Sequence, residues 1–226
     1  ALAFAIGRFT AFGASAIPAT PGTQSADAGF ARDMQLHHAQ AVDMAMEIYR
    51  KTDDPEVRVL AYDMATTQSA QLGEMYSWLV AWNLPQRGGE LMAWMRDAEG
   101  GHGGHGASAA PLSEQELRDA MGMATDEQLA ALDAATGTEA DCLFLTLMIR
   151  HHEGAIEMVD AVLELGSEPR VKAVAAAMAE VQQFEHLVEP CGVRGAGGTD
   201  REDLVQVVVV AEHVGVDQRL TGPHPV

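Results

Sequence analysis

Met34-Gln-Leu-His37-His38-Ala-Gln-Ala-Val-Asp-Met44 and Met148-Ile-Arg-His151-His152-Glu-Gly-Ala-Ile-Glu-Met158 are two copies of one pattern, M-x-x-H-H-x-x-A-x-x-M. The copies lie 114 positions apart, from His37 to His151. The same offset relates matched residues on both sides of the pattern, namely Phe30 and Phe144, Pro55 and Pro169, Val57 and Val171, Ala61 and Ala175, Met64 and Met178, and Gln68 and Gln182. The duplicated unit therefore extends well beyond the histidines, without an insertion.

Each copy has the form of a helix, a proline-marked turn and a second helix. Asp54 before Pro55 is typical of an N-cap followed by the first helical residue, and Ser167-Glu-Pro169 marks the matching turn. We predict helices over about 27–50, 55–82, 138–166 and 167–189. Because short turns place consecutive helices side by side, the sequence predicts an all-α four-helix bundle made of two helix hairpins related by a pseudo-two-fold axis.

The duplication divides the chain into a bundle over 27–191, with repeats of about 27–83 and 138–191 and a linker over 84–137. Capping-box patterns in the linker, Ser113-Glu-Gln-Glu116 and Thr125-Asp-Glu-Gln128, predict short connecting helices. A third such run, Thr138-Glu-Ala-Asp141, is expected to open the second repeat. Residues 192–226 lie outside the duplication and are interpreted as an irregular C-terminal extension, in which 204–211 is strand-like, although a short helix over 200–213 fits equally well.

Residues 1–26 are interpreted as the remnant of an export signal or N-terminal membrane anchor, followed by a linker of small residues. Apolar residues dominate up to Ile17, and Ala14-Ser15-Ala16 has the A-x-A form of a cleavage site. The apolar stretch is too short and too interrupted for a complete transmembrane helix. A short amphipathic or disordered lead is the alternative. Export predicts a secreted or extracytoplasmic protein, with membrane anchoring as a second option.

Composition excludes one class of partner and permits a substantial core. The formal net charge is −19, whereas a nucleic-acid partner would need a basic face, so we expect no nucleic-acid binding. Apolar residues make up 47% of the chain, which is enough for a packed bundle. The two cysteines, Cys142 and Cys191, form no C-x-x-C motif, so a thiolate metal site is not indicated.

The histidines and methionines of the repeated pattern share one helical face, spanning an arc of roughly 120° at 100° per residue. Imidazole nitrogen together with thioether sulfur is the ligand set of a soft ion such as Cu(I). We therefore predict binding of Cu(I), with Ag(I) as a second ion, and loss of binding below about pH 6, because protonated imidazole cannot ligate a metal. The candidate ligands are His37, His38, His151, His152, Met34, Met44, Met148, Met158, Met64 and Met178.

Other interpretations of these residues stay open. Methionine is a common core filler, and a non-catalytic structural or interaction bundle could bury its histidine pairs in hydrogen-bond networks. His102 and His105, in a Gly-rich stretch of the linker, could capture metal weakly, although a solvated linker is the simpler interpretation. A carboxylate-bridged oxidase needs a duplicated acidic set. Ala39 and Asp43 stand where the second repeat has Glu153 and Glu157, so the sequence favours a protein that is not an enzyme.

The run from Phe30 to Met44 and its copy from Phe144 to Met158 resemble the hallmark of the family called domain of unknown function 305. The resemblance covers about residues 27–190. It implies a ferritin-like four-helix bundle, exported by bacteria, and some relatives look like periplasmic copper- and silver-binding proteins. Most of the family has no assigned role. The residues after Cys191 and the cysteines themselves fall outside the family pattern.

A disulfide between Cys142 and Cys191 is expected from the predicted hairpin. Cys142 lies at the start of the first helix of repeat two, and Cys191 lies just past the end of its antiparallel partner. These points are neighbours in a hairpin, and a bond requires Cα atoms within about 7 Å. Two unpaired buried thiols, or thiolates that bind copper, are the alternatives.

Overall fold

Six α-helices and one short 3-10 helix form the regular structure of residues 20–95 and 112–185, the parts of the chain described by the computed structural model. No strand occurs within these two ranges, which confirms the predicted all-α fold. The α-helices, in chain order, are α1 (Ala26–Lys51), α2 (Pro55–Ala81), α3 (Glu114–Ala120), α4 (Asp126–Ala134), α5 (Gly137–Leu165) and α6 (Pro169–Glu185), and the 3-10 helix is Ala93–Met95.

Most helix starts follow the local signals in the sequence. Asp54 accepts hydrogen bonds from the backbone N–H groups of Glu56 and Val57, directly ahead of Pro55 at the first turn of α2. The capping boxes at Ser113 and Thr125 both form, so α3 and α4 begin where the sequence predicted.

The predicted cap of α5 is wrong. The helix begins at Gly137, its N-cap is Thr136, and no side chain caps its first turn. Thr138 therefore lies inside the helix. Gly137 has φ 58°, a left-handed conformation that glycine adopts without strain, so the chain enters α5 through a glycine rather than a capping box.

Two apolar cores, one at each end of the bundle, show how the repeats combine. Helix α1 pairs with α2, α5 pairs with α6, and α1 packs against α5. Each core joins the start of the first helix of one repeat to the end of the first helix of the other. Core A contains Phe30, Met34, Met158, Val162, Val171, Ala175 and Met178. Core B contains the residues 114 positions away, Phe144, Met148, Met44, Ile48, Val57, Ala61 and Met64.

Each core combines the start of one of the helices α1 and α5 with the end of the other, so the two helices must cross in antiparallel directions. A residue early in α1, such as Met34, shares its core with a residue late in α5, such as Met158. The crossing point therefore lies between Met34 and Met44 on α1 and between Met148 and Met158 on α5. The histidine pairs occupy this point, which confirms the predicted packing of both hairpins into one bundle.

Polar side chains from the first hairpin fasten distant segments to the bundle. The buried carboxylate of Asp27 accepts hydrogen bonds from the N–H groups of Ser167 and Glu168 and from the Ser167 hydroxyl. It thus holds the turn that precedes α6 from another helix. Asp33 likewise accepts from the backbone N–H of Met92 and the indole N–H of Trp94, which places the 3-10 helix against α1.

Replacement of Asp27 by alanine is expected to lower the free energy of unfolding by roughly 1 to 3 kcal/mol, because donors in the turn before α6 lose their acceptor. Urea denaturation of the metal-free protein measures this effect. Asp160→Ala is the matched control, since Asp160 is exposed on α5. Equal midpoints for the two variants would contradict this role of Asp27.

Several sequence-based expectations concern residues outside the described ranges. These are most of the N-terminal segment 1–26, His102 and His105, the continuation of α6 beyond Glu185, Cys191 and the extension 192–226. The Cys142–Cys191 disulfide accordingly stays a prediction. None of the helices in residues 20–95 and 112–185 combines the length and apolarity needed to cross a bilayer.

Candidate metal centre

Four buried imidazoles meet where α1 crosses α5. His37, His38 and His151 are at most 1% exposed, and His152 is 4% exposed. The rings of His37 and His151 stack, with centroids 3.5 Å apart and an interplanar angle of 28°. Because these two residues are pseudo-symmetric equivalents, the stack marks the pseudo-two-fold axis. The prediction that the histidines line the bundle interior is confirmed.

Hydrogen bonds fix the tautomers of the two histidines on α1. His37 Nε2 lies 3.0 Å from the carbonyl oxygen of Met121, and His38 Nε2 lies 2.7 Å from Oε1 of Gln71. A carbonyl oxygen can only accept, so both Nε2 atoms carry the hydrogen and both Nδ1 atoms keep their lone pair. Neither Nδ1 has a hydrogen-bond partner among the side chains that the structure describes, which belong to residues 20–95 and 112–179, or among the described backbone atoms.

The histidines on α5 are held differently. Neither ring nitrogen of His151 has a hydrogen-bond partner in the described part of the chain. The amide nitrogen of Gln68 lies 3.3 Å from Nε2 of His152. Gln68 and Gln71, both on α2, therefore lie beside histidines of different repeats. A buried imidazole nitrogen without a partner is costly unless a ligand uses it.

Burial keeps the imidazoles of His37, His38 and His151 neutral. The pKa of His38 is lowered to about 4, chiefly because burial disfavours its charged form. The pKa values of His37 and His151 are also well below the usual imidazole value, first through burial and then through the neighbouring imidazoles. These side chains are therefore unprotonated at neutral pH, the state in which imidazole ligates a metal.

The lowered pKa values predict that the metal-free protein loses stability in acid. Between the unfolded pKa near 6.5 and the folded value about 4, the unfolded state binds more protons at His38 than the folded state does. The stabilisation is complete above pH 6.5 and falls away as the pH drops towards 4. For His38 alone the loss at pH 5 is about 2 kcal/mol.

Urea denaturation at pH 7.5 and pH 5 measures this loss. His38→Gln should reduce the difference in unfolding free energy between pH 7.5 and pH 5 by about 2 kcal/mol. This holds whatever the effect of the substitution on stability at pH 7.5. An unchanged difference in the variant would mean that His38 titrates normally in the folded protein.

A strap of the linker, residues 121–124, crosses the histidines. Gln40 on α1 holds it by two hydrogen bonds to the backbone of Ala124, one donated at 2.9 Å and one accepted at 2.7 Å. On α5 the strap lies directly against Gly154, where a Cβ atom would be 2.0 Å from the Met121 carbonyl oxygen. Gln40 and Gly154 are 114 positions apart and are therefore equivalent residues of the two repeats. One contacts the strap from α1 and the other from α5.

The candidate methionines are buried, but they do not all face one point. Met34, Met44, Met148, Met158 and Met178 are at most 1% exposed, and Met64 is 9% exposed. The two methionines of each motif lie in different cores. Met34 and Met44 share one face of α1, but ten residues of helix place them on opposite sides of the histidines along the helix axis.

Carboxylates are not part of this centre. Asp43, Glu153 and Glu157 are exposed, away from the bundle interior. Among the side chains of residues 20–95 and 112–179, no three from histidine, cysteine, aspartate and glutamate are arranged so that they could hold a metal ion by themselves. The donor set that the structure does bring together is neutral imidazole nitrogen, with thioether sulfur in the cores on either side. Such donors suit a soft ion rather than a hard one.

Comparison with known proteins finds one matching family model and several solved structures that are similar to this chain. Residues 27–187 match the model of the family described as domain of unknown function (DUF305). A DUF305 protein from Streptomyces coelicolor, named as a presumed secreted protein, is 38% identical with a TM-score of 0.61, and the match covers 73% of this chain and 88% of that one. Among curated protein sequences, none matches this chain.

Two further solved structures share the fold. A DUF305 fragment from Deinococcus radiodurans is 29% identical with a TM-score of 0.56, covering 71% of this chain and 89% of that one. CopM in the Cu(II)-bound form is 26% identical with a TM-score of 0.51, covering 71% of this chain and 90% of that one. The similar structures thus include one with bound copper.

Proposed function

This chain belongs to the DUF305 family, and from that premise we propose that it binds Cu(I), and Ag(I) in its place, at the crossing of α1 and α5. The metal is cargo that the protein buffers or hands over, and no turnover is involved. The ligands are nitrogens of His37, His38, His151 and His152, with thioether sulfurs from the adjoining cores. These sulfurs belong to Met34, Met44, Met148, Met158, Met64 and Met178.

The observation that carries this proposal is the pair of orphaned Nδ1 atoms on His37 and His38. Each imidazole donates its Nε2–H to a fixed carbonyl oxygen and keeps a buried lone pair on the other nitrogen. Metal-ligating histidines characteristically donate one ring N–H to a carbonyl or carboxylate, which orients the other nitrogen towards the metal. Without a ligand, the same arrangement leaves buried acceptors unsatisfied at a cost.

A structural or interaction bundle without metal is the alternative. The stacked rings of His37 and His151 and the hydrogen bonds to Gln68 and Gln71 support that interpretation. The metal-free interpretation gives neither ring nitrogen of His151 a partner. The metal proposal makes this residue a ligand. The Cu(II)-bound form of CopM, a structure of the same fold, adds support for copper.

We propose that the protein acts outside the cytoplasm. The apolar N-terminal residues and the similarity to a presumed secreted protein both support this location. A membrane anchor within residues 1–26 and a Cys142–Cys191 disulfide would fit an oxidising compartment.

Competition for Cu(I) tests the proposed function. The purified protein is mixed anaerobically with Cu(I) and a chromogenic Cu(I) chelator, and the chelator absorbance reports the copper that the protein withdraws. We expect tight withdrawal of Cu(I), displacement by Ag(I), and no comparable retention of Zn²⁺ or Mg²⁺, because thioether sulfur selects soft ions. Failure to withdraw Cu(I) would favour the metal-free structural bundle.

A further inference from the structure

We infer that the strap, residues 121–124, makes the duplicated centre asymmetric. The first soft ion binds on the side of core A, with Met121 and Met123 among its ligands. This inference rests on the proposed function and adds to it two thioethers from outside the repeated motif. It also predicts two sites of unequal affinity instead of two equivalent ones.

The methionines are distributed unevenly between the cores. Three methionines of each core are matched by the duplication, since Met34, Met158 and Met178 of core A correspond to Met148, Met44 and Met64 of core B. Met121 and Met123 belong to the linker, have no counterpart at the same offset, and both lie in core A. Core A also contains Met75, whereas the matching position in the second repeat is Glu189. Core A therefore has twice as many buried thioethers as core B.

The strap is fixed directly against the histidines. The carbonyl oxygen of Met121 accepts the hydrogen bond of His37 Nε2 at 3.0 Å. Gly122 has φ 72°, and a Cβ atom there would lie 2.2 Å from the carbonyl oxygen of Arg150, the residue before His151. The strap therefore reaches both halves of the stacked pair, and only glycine allows so close an approach.

Both strap methionines are more buried than a surface connection requires. Met121 is fully buried and Met123 is 2% exposed, although they lie between two short helices at the bundle surface. Leucine would fill such positions equally well for packing alone. Flexible thioethers on a strap whose backbone contacts His37 add soft donors on one side of the centre only.

Titration with Ag⁺ followed by NMR of ¹³C-labelled methionine methyl groups tests this inference. With the first equivalent of Ag⁺ we expect the methyl signals of Met34, Met121, Met123 and Met158 to shift. The signals of Met44, Met64 and Met148 should move only with the second equivalent. Simultaneous, proportionate shifts in both cores would overturn the inference.

Leucine variants provide the matched comparison, because Met→Leu nearly conserves volume. Met121→Leu with Met123→Leu should weaken the first Ag⁺ equivalent at least tenfold. Met44→Leu with Met148→Leu should weaken the second equivalent, and Met46→Leu, which lies outside the proposed ligands, should leave both equivalents unchanged. If the strap double variant does not fold, Met121→Leu and Met123→Leu are tested singly, and wild-type affinity in both would refute the strap ligands.

The outcomes separate the inference from the proposed function. No methionine or histidine shift in the wild-type protein would contradict soft-metal binding altogether. Ag⁺ binding that shifts the histidines but is indifferent to Met121 and Met123 would leave the proposed function intact and refute only the asymmetry.

Discussion

Gly154→Ala is expected to destabilise the protein by about 3 kcal/mol or more, a large effect for one methyl group. A Cβ atom at this position would lie 2.0 Å from the carbonyl oxygen of Met121 and 2.6 Å from the backbone nitrogen of Gly122. Both contacts are to backbone, so no side chain can rotate away. Overpacking of this kind costs roughly 1 to 3 kcal/mol even where neighbours are flexible, and more where they are not.

Gly73→Ala is the control for this prediction. Gly73 is also inside a helix, α2, but a Cβ atom there would meet nothing within 4 Å. Because alanine favours the helix over glycine, this variant should gain up to about 1 kcal/mol. Urea denaturation of both variants measures the difference. Two variants of similar stability would mean that the strap does not pack against α5 as described.

Loss of the stacked histidines should have the largest effect on metal affinity. His37→Ala combined with His151→Ala is expected to weaken Cu(I) binding at least 100-fold, since changes to groups behind the ligands already cost 10- to 100-fold. Chelator competition measures the affinity, and circular dichroism confirms that the variant is folded. His102→Ala with His105→Ala, in the Gly-rich stretch of the linker, is the control and should bind like the wild type.

The pH dependence of binding distinguishes buried from ordinary imidazoles. A pKa near 6.5 predicts loss of Cu(I) below about pH 6. Because burial lowers the pKa of His38 to about 4 and those of His37 and His151 in the same direction, competition by protons should begin at lower pH. We expect substantial retention at pH 5.5. Release centred near pH 6.5 would show that the ligating histidines are solvent-exposed.

Local and periodic signals in the sequence were sufficient to predict the bundle. The 114-residue offset identified both hairpins, and the cap at Asp54 and the boxes at Ser113 and Thr125 located three helix starts. Burial of the histidine pairs followed from the apolar face that they share with alanine and methionine. These features depend on residues a few positions apart, and therefore one sequence reveals them.

Contacts between segments far apart in sequence could not be predicted in this way. Asp27 holds the turn before α6 across 140 residues, and the strap docks on His37 from a linker that the repeat does not contain. One signal was present but was not recognised. Where α1 has Gln40, α5 has Gly154, a helix-breaking residue in the middle of a helix, and such a glycine generally has a packing reason.

The division of the methionines was also missed, for a geometric reason. Helical periodicity places Met34 and Met44 on the same face, but it does not show that ten residues of rise separate them along the axis by about 15 Å. Only the antiparallel crossing of α1 and α5 shows that Met34 is paired with Met158 and Met44 with Met148.

The most direct test of the metal centre is a crystal structure of the Ag(I)-loaded protein with anomalous scattering from the metal. We predict an anomalous peak inside the bundle. The silver ion that it locates should be coordinated by Nδ1 of His37 or His38 and by at least one methionine sulfur. Anomalous density confined to the Gly-rich stretch around His102 and His105, or its absence beside the four buried histidines, would contradict the proposal.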